Sequence, residues 1–450
     1  MLRAPILRIA TYSIGQVYSL RIIGRMLSCV ILLGIIAKVY DAAAADSLNA
    51  GQATARLSLA EADRQLLETN RHIRLARQVV RVASGEIQRV DVSPNPTLSA
   101  TLSNTAARQY QWGRANRVIG IEQLFERGGK RQLRGDLARD AELATKAELS
   151  DVIRQQRIAM TSAYFDLVAA RQAVRIADDN SVAFERLVSA LELRVNAGDA
   201  AMVGLARLQV EATRAANEAR KAREQVADAQ ISLASALGVE RLASQLEPTD
   251  DFPPLEDHRA RSAASTLHKR IDSALVQRAD VRAAQARIEA MNKAVALALS
   301  QRSRDVTLGL YTEQDPAYGG RVFGLSASIP LMVNNDFHGE IARAQAELEL
   351  AQENLARVRG VVLADIEHAR IRLESAGERA ARLDAKALPD AQKAVEAMEF
   401  AFSRGAASLT DLFDARRQLA ATRYEAISNQ TDFAKALYAF ELSLTLENIQ

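Results

Sequence analysis

The chain contains 450 residues, and its 58 lysines and arginines nearly balance its 55 aspartates and glutamates. The net charge of +3 does not favour a nucleic-acid-binding protein, which carries a strong basic excess. Aromatic residues make up only 5% and alanine is abundant, a composition typical of long helices rather than of a compact enzyme. The single cysteine, Cys29, excludes an intramolecular disulfide and a Cys-x-x-Cys metal site, and the five scattered histidines argue against a histidine-based one. We therefore expect no metal centre and no cofactor.

The first 45 residues have the three parts of a secretory signal. Residues 1–25 contain four arginines and no acidic residue, an apolar run occupies 26–37, and alanines follow at 42–45. The apolar run is shorter than the roughly 20 residues of a spanning helix. Cys29 precedes most of that run, whereas a lipidated cysteine would follow it. We therefore predict a cleaved signal peptide at 1–45, without a membrane anchor or a lipid anchor.

The two halves of the chain follow the same order of patterns. Shifting the sequence by 207 positions places Gly198 on Gly405 and aligns long segments on both sides of them without a gap. A period of about 200 residues is too long for a solenoid and indicates a duplicated domain. We predict a first repeat at 46–246 (helix, strand pair, long helical hairpin), a Pro- and Asp-rich linker at 247–270, and a second repeat at 271–450.

Both hairpins have the pattern of coiled-coil helices. After Gly198, apolar residues recur at alternating steps of three and four for more than four heptads. The segment from Lys130 to about Val195 contains no proline, and the corresponding segment of the second repeat contains only Pro389. A helix of that length extends about 100 Å and buries its seam only against a returning helix and neighbouring copies, so it suits a tunnel or a spacer. The predicted seam comprises Leu205, Leu208, Ala212, Ala215, Ala219, Ala222, Val226, Ala229, Leu233 and Ala236.

Four short runs alternate between apolar and polar residues, which predicts strands with two different faces. No stretch of 18 apolar residues follows the signal, so a membrane crossing by the mature protein has to use these strands. Alternation alone favours a soluble sheet packed on helices, and four strands do not close a barrel without further subunits. The runs are Thr97–Ser103, Arg117–Phe125, Val306–Tyr311 and Arg321–Ile329.

Several sequence motifs recur in a fixed order over residues 55–450. They are the Pro94-Asn95-Pro96 entry to the first strand, the strand-to-helix turns and the two glycine turns, of which the second runs from Arg404 to Ala415. Together they resemble the TolC-like outer-membrane factor family, the exit ducts of tripartite efflux and type I secretion systems. The segment Ile121–Arg131 and the Leu388-Pro389 step look like the heavy-metal, CzcC-like branch of that family.

This resemblance implies a mainly α-helical fold with a small β part. Tandem-repeat helical hairpins would form a coiled-coil α-barrel, and four membrane strands per subunit would complete a 12-stranded β-barrel in a homotrimer. The implied location is the outer membrane of a Gram-negative bacterium, with a large periplasmic part. The implied partners are outer-membrane lipid, a periplasmic adaptor (membrane fusion) protein and an inner-membrane RND pump, and the implied cargo is divalent heavy-metal cations.

Asp411 and Asp414 follow the second glycine turn, at the start of a helix. On the residues alone, a favourable interaction with the helix dipole explains two acids in a first turn. The resemblance instead implies a periplasmic aperture, where each aspartate, repeated in three subunits, forms an acidic ring that favours cations. The first repeat has Gly204 at the position of Asp411, so the acidic pair occurs only in the second repeat.

The remaining candidate residues lie at turns or within a strand. The resemblance implies adaptor docking at the hairpin tips, although ordinary helix ends also favour Arg and Gly there. Two glycines before Lys130 predict a strand-to-helix turn, because the spacing of a phosphate loop is lacking. In the barrel that the resemblance implies, Glu122 is expected to face the lumen, because exposure of its charge to lipid is costly. The tip residues are Arg194, Gly198, Arg404 and Gly405, and the turn residues are Gly128 and Gly129.

Two classes of function compete for this sequence. The first is an outer-membrane duct, and the second is a soluble periplasmic coiled-coil adaptor or scaffold. An adaptor would have one helical hairpin flanked by β domains, rather than two copies of a strand pair with a hairpin. An enzyme has the least support, because no catalytic set of side chains stands out. Among ducts, only the resemblance favours metal cargo, so drug efflux and type I protein secretion remain alternatives.

Overall fold

A computed structural model describes residues 55–103, 115–255, 264–315 and 319–444. The predicted signal peptide at 1–45 lies outside these ranges. The chain divides into two units, Met1–Ala55 and Arg56–Gln450, and all described residues except Ala55 belong to the second.

The described elements follow one order twice: short helix, longer helix, strand pair, helical hairpin. The predicted mainly helical fold with a small β part is confirmed. Helix α5 begins inside the range predicted as linker, and β4 pairs with β1. The helices are α1 (Leu59–Thr69), α2 (Arg71–Val90), α3 (Lys130–Asn196), α4 (Met202–Leu237), α5 (Ala264–Gln277), α6 (Ala279–Ser300), α7 (His338–Arg382), α8 (Leu388–Ser403) and α9 (Leu409–Ser443). The strands are β1 (Ala55–Leu57), β2 (Thr97–Ser103), β3 (Asn116–Phe125), β4 (Leu246–Pro248), β5 (Val306–Asp315) and β6 (Gly320–Ser328).

The first hairpin has the long helix and the coiled-coil seam that the sequence predicts. Helix α3 is continuous for 67 residues, which corresponds to about 100 Å. On α4 the seam residues Leu205, Leu208 and Leu233 are buried, and alanines between them let the two helices approach closely. Within the residues that the structure describes, every helix falls short of the combined length and apolarity required to cross a lipid bilayer.

The second hairpin differs from the first by one interruption in its ascending arm. A π-helical turn at Leu383–Ala387 separates α7 from α8, and Pro389 is the second residue of α8. Proline has no N–H for the bond to the carbonyl four residues earlier, and its ring clashes with that carbonyl, so the helix widens locally. The corresponding stretch of α3 contains no proline and remains α-helical.

Strands from both repeats form one antiparallel sheet with the order β2-β3-β5-β6. The register places Leu98, Ile121, Leu310 and Leu325 side by side across it on one face. These four side chains are 75%, 48%, 59% and 81% exposed, so this apolar face does not pack on the described helices. Among the described strands of this sheet, β2 and β6 pair on one side only.

The middle of the molecule is a compact core in which short helices pack against the long ones. The hydroxyl of Tyr164 on α3 donates to the carbonyl of Leu57 at 2.9 Å. The breaks between α1 and α2 and between α5 and α6 carry the buried residues Asn70 and Arg278, each 1% exposed. Asn70 donates to Gln156 on α3, and Arg278 donates to Asp365 on α7, so each break is tied to the long helix of its own repeat.

Candidate functional site

The second hairpin tip places both predicted acidic residues in the first turn of α9. Gly405 has φ +74°, a conformation that favours glycine, and it ends α8. The Asp411 N–H donates to Ser408 Oγ at 3.2 Å, and the Ser408 backbone N–H donates back to Asp411 Oδ2 at 3.2 Å. This reciprocal capping box satisfies two backbone donors at the start of the helix. Asp414 forms an ion pair with Arg417 one turn further along.

The two acidic residues lie on the face of α9 that lines a groove between α3 and α7. Asp411 and Asp432 are separated by three heptads, as are Asp414 and Lys435, so each pair occupies one position of the coiled coil. Asp432 and Lys435 line a groove of about 930 Å³. The opposite side of α9 packs into the core through Ala434. The predicted aperture residues therefore point away from the core, along the same face as the groove.

The two hairpin tips close in the same way but differ in their first helical turn. The Asp199 N–H donates to the Arg194 carbonyl at 2.8 Å, and the Ala406 N–H donates to the Ala401 carbonyl at 2.9 Å, which is the same closure shifted by 207 residues. Gly198 has φ +84°. Helix α4 begins after Ala201 without a side-chain cap, in contrast to α9.

An exposed apolar side chain lies at an equivalent position of each tip. Leu193 on α3 is 72% exposed, and Phe400 on α8, 207 residues later, is 64% exposed. The Arg404 guanidinium lies 5.2 Å from the centre of the Phe400 ring. Deeper in the hairpins the Phe184 and Phe413 rings are 5.7 Å apart and join the two tips. The two tips thus expose apolar residues at equivalent positions, outside the core that they share. The sequence analysis considered only the glycines and arginines of the tips and did not identify these apolar residues.

The predicted turn at Gly128 and Gly129 connects β3 to α3 and carries a partly buried ion pair. Both glycines have positive φ, +74° and +69°, and a Cβ on Gly128 would lie 2.7 Å from Ser303. Lys130 is 5% exposed, and its Nζ donates to the two carboxylate oxygens of Asp305 at 2.8 and 2.9 Å and to the Ser303 carbonyl at 2.8 Å. We call Lys130 and Asp305 the junction pair, because they join the first repeat to the second where sheet meets helices.

The pKa of Asp305 is shifted by opposing effects. Burial raises it, whereas hydrogen bonds from Lys130 and from the Arg127 N–H, together with the charges of Lys130 and Arg134, lower it. The hydrogen bonds and the charges together outweigh burial, so the pKa of Asp305 lies below its ordinary value. In the second repeat the turn residue equivalent to Gly129 is Phe337, with φ +62°.

The second face of the sheet is polar and contains Glu122. The register aligns Glu122 with Thr97 on one side and with Gly309 on the other, and Ser326 follows on β6. A Cβ on Gly309 would lie 3.0 Å from the Glu122 Cγ, so the glutamate side chain lies across the neighbouring strand. Glu122 is therefore on the face opposite the exposed leucines. Within the described ranges no group of three His, Cys, Asp or Glu side chains is placed to hold a metal ion.

Known proteins match this chain over most of its length. The sequence profile of the family "Outer membrane efflux protein" matches residues 62–239 and 270–444. The cobalt-zinc-cadmium resistance protein CzcC of Cupriavidus metallidurans is 24% identical over 351 residues, which is 77% of this chain and 80% of CzcC. The outer-membrane channel OprN has a TM-score of 0.70 at 19% identity, covering 86% of this chain and 89% of OprN. VceC of Vibrio cholerae has a TM-score of 0.69 at 18% identity, covering 86% of this chain and 97% of VceC.

The profile covers both hairpins and all four strands of the main sheet. The solved structures superpose on 86% of this chain at TM-scores of about 0.7, and the fold is therefore that of the TolC-like channels. The chain belongs to the outer membrane efflux protein family, and it is an outer-membrane efflux channel with a large helical periplasmic part rather than an enzyme.

Proposed function

We propose that three copies of this chain form the exit duct of a tripartite RND-type efflux system whose cargo is divalent heavy-metal cations. The cargo is supported by the likeness to a cobalt-zinc-cadmium resistance protein and by the CzcC-like segment Ile121–Arg131. Drug efflux and type I protein secretion are alternative cargoes for the same duct. The division into a signal at 1–45, repeats at 46–246 and 271–450, and a linker at 247–270 belongs to this proposal.

The main support for the assembly is a difference between equivalent helices of the two repeats: α6 is packed against by two long helices, and α2 by one. Helix α6 packs between α3 and α7, whereas α2 packs against α3 alone among the long helices. Leu75 and Val82 on α2 are 65% and 73% exposed, but their equivalents on α6, Ala283 and Ala290, are 6% and 0% exposed. A second copy that places its α7 against α2 would repeat the internal arrangement between copies and cover this apolar stripe.

The sheet supports the same assembly. Strands β2 and β6 have one partner each among the described strands, and unpaired strand edges are not tolerated inside a lipid layer. Pairing of β6 with β2 of the next copy satisfies both edges. With three copies the four-stranded sheets join into one closed wall of twelve strands, with the face of Glu122 inside and the leucine face towards lipid.

The opposite end of the molecule supports an adaptor-docking role. Leu193 and Phe400 are matched, exposed and carried by helices that end at Gly198 and Gly405. In a trimer they give six equivalent apolar points around the tips, which suits a partner that presents its own hairpins at regular intervals. Arg194 and Arg404 flank these points and supply hydrogen-bond donors for such a partner.

Asp411 and Asp414 are proposed to line the periplasmic aperture. Their support is the helix face that they share with the groove residues Asp432 and Lys435. Arg417 pairs with Asp414 and so reduces the negative charge of the ring. Asp411, Asp414 and Arg417 together contribute a net charge of −1 per subunit. A threefold ring of that charge attracts cations without holding them tightly.

The cargo is tested in cells that produce the adaptor and the pump but lack this chain. Cellular cobalt, zinc and cadmium are measured with and without the wild-type chain, together with the accumulation of a hydrophobic dye. Metal efflux predicts that the chain lowers the metal content and protects growth, with the dye unchanged. A chain that lowers dye accumulation and leaves metal content unchanged contradicts the proposed cargo but not the duct.

A further inference from the structure

The apolar face of the sheet ends in a row of polar residues at one end of the strands. Arg117 on β3 aligns with Gln314 on β5, which aligns with Arg321 on β6. These side chains share their face with Ile121, Leu310 and Leu325, because they are an even number of residues away along each strand. All three members of the row are exposed. The described strands of this sheet contain no other arginine or lysine.

The position of the row follows from the direction of the strands. β3 begins near Arg117 and leads into α3 after Phe125, so the arginine row lies at the end of the sheet far from the helices. Eight residues separate Arg117 from Phe125, and at about 3.3 Å per residue this apolar span is about 26 Å long. At the tilt of about 40° typical of membrane strands, this span covers about 20 Å of the apolar band, which is roughly 25 Å tall. The row therefore lies where the outer membrane surface begins.

A groove lies on the same face, between the row and the helix end of the sheet. It has a volume of about 610 Å³, and its lining is predominantly apolar. Ile121 and Leu310, in its upper part, are four residues from the row along their strands, a distance of about 13 Å. The lining residues on the leucine face are Ile121, Phe125, Leu308, Leu310, Leu325 and Ala327.

From this arrangement we infer that Arg117 and Arg321 bind the phosphate groups of an anionic lipid of the outer leaflet, whose acyl chains lie in the groove. A guanidinium donates two parallel hydrogen bonds to phosphate, and the two arginines stand two strands apart, about 10 Å. A phosphorylated amphiphile with several acyl chains fits both parts of the surface. The inference rests on the proposed function in one respect, namely that these strands cross the outer membrane.

The test measures lipid retained by the purified full-length protein in detergent, by native mass spectrometry. The probes are a bisphosphorylated lipid A and the same lipid after removal of its phosphates. The double variant Arg117→Gln/Arg321→Gln is expected to bind the phosphorylated lipid about 30-fold more weakly than the wild type, roughly fivefold for each arginine near a membrane surface. The wild type is expected to prefer the phosphorylated lipid, and excess inorganic phosphate is expected not to replace it, because phosphate has no acyl chains.

Controls separate this inference from the proposed duct. The variant Arg74→Gln/Arg77→Gln removes two exposed arginines from α2 and is expected to retain lipid as the wild type does. Arg117→Lys/Arg321→Lys keeps the charge and is expected to bind with intermediate strength, which covers the case in which the glutamine variant does not fold. Equal retention of both lipids by the wild type, or full displacement by phosphate, would overturn the inference. Channel conductance reports on the duct independently of these outcomes.

Discussion

Breaking the junction pair is expected to destabilise the place where sheet and helices meet. Lys130 is only 5% exposed. In Asp305→Asn its ammonium group keeps the hydrogen bond to the Ser303 carbonyl but loses the charged carboxylate that accepted two hydrogen bonds. Removing one member of a fully buried ion pair costs about 3–5 kcal/mol. Because the Asp305 side chain is 23% exposed, we expect a smaller loss of about 2–3 kcal/mol.

A double-mutant cycle isolates the pair. Lys130→Met keeps an unbranched apolar stem, so the double variant Lys130→Met/Asp305→Asn leaves no buried charge and is expected to lose only about 1 kcal/mol. Urea-induced unfolding in detergent, followed by circular dichroism, gives the free energy of unfolding of each variant. Lys130→Met leaves the partly exposed Asp305 carboxylate with the Arg127 N–H and is expected to lose about 1 kcal/mol, so the two single losses exceed that of the double variant by about 2–3 kcal/mol, which is the expected coupling energy. Effects that add within about 0.5 kcal/mol would refute the reasoning, because residues that do not interact are additive.

The remaining predictions concern pH, backbone, assembly and aperture. Because folding lowers the pKa of Asp305, the stability contributed by its charge is complete above the unfolded carboxyl pKa of about 4. That stability is lost as pH falls through the lower folded-state pKa. The urea midpoints of the wild type and of Asp305→Asn should therefore converge at low pH. Gly128→Ala should destabilise more than Gly129→Ala, which loses about 1–2 kcal/mol from its positive φ alone, since only Gly128 lacks space for a Cβ. Leu75→Asp/Val82→Asp should prevent assembly on native gels, whereas the control Arg77→Asp/Arg81→Asp, on a different face of α2, should assemble normally. Asp411→Ala/Asp414→Ala should lose cation selectivity in planar bilayers. The helix should persist, because loss of the capping box costs about 1 kcal/mol of stability and loss of the second acid costs less. An unchanged reversal potential would mean that the two aspartates only stabilise the start of a helix.

The periodic parts of the molecule could be predicted from the sequence. The seam from Leu205 to Ala236 repeats with one period, and burial follows it because packing in a two-helix hairpin depends on that period alone. The alternation in Thr97–Ser103 likewise predicts a strand with two faces, and the structure confirms the strand at those bounds. What covers each face was not predictable, because it depends on strands 200 residues away in the sequence.

Side-chain contacts between distant residues, and irregular backbone conformations, could not be predicted from the sequence patterns. The bond from Lys130 to Asp305 joins residues 175 positions apart, and neither residue stands out in its own segment. The π turn at Leu383–Ala387 lies before Pro389. The proline therefore predicts that the helix is irregular at this point, but it does not predict a π turn. Phe337 adopts the left-handed conformation that Gly129 adopts in the first repeat, and no sequence rule predicts a phenylalanine there. The capping role of Asp411 was open to prediction, since Ser408 stands three residues before it, as in a capping box.

The central claim is that one chain is a third of a duct, and the mass of the assembled protein tests it most directly. Native mass spectrometry of the protein extracted from outer membranes into mild detergent should give three times the mass of the mature subunit. In the proposed assembly, partner copies cover the open edges of β2 and β6 and the exposed stripe of α2. A monomer of full helix and strand content under those conditions would contradict the account.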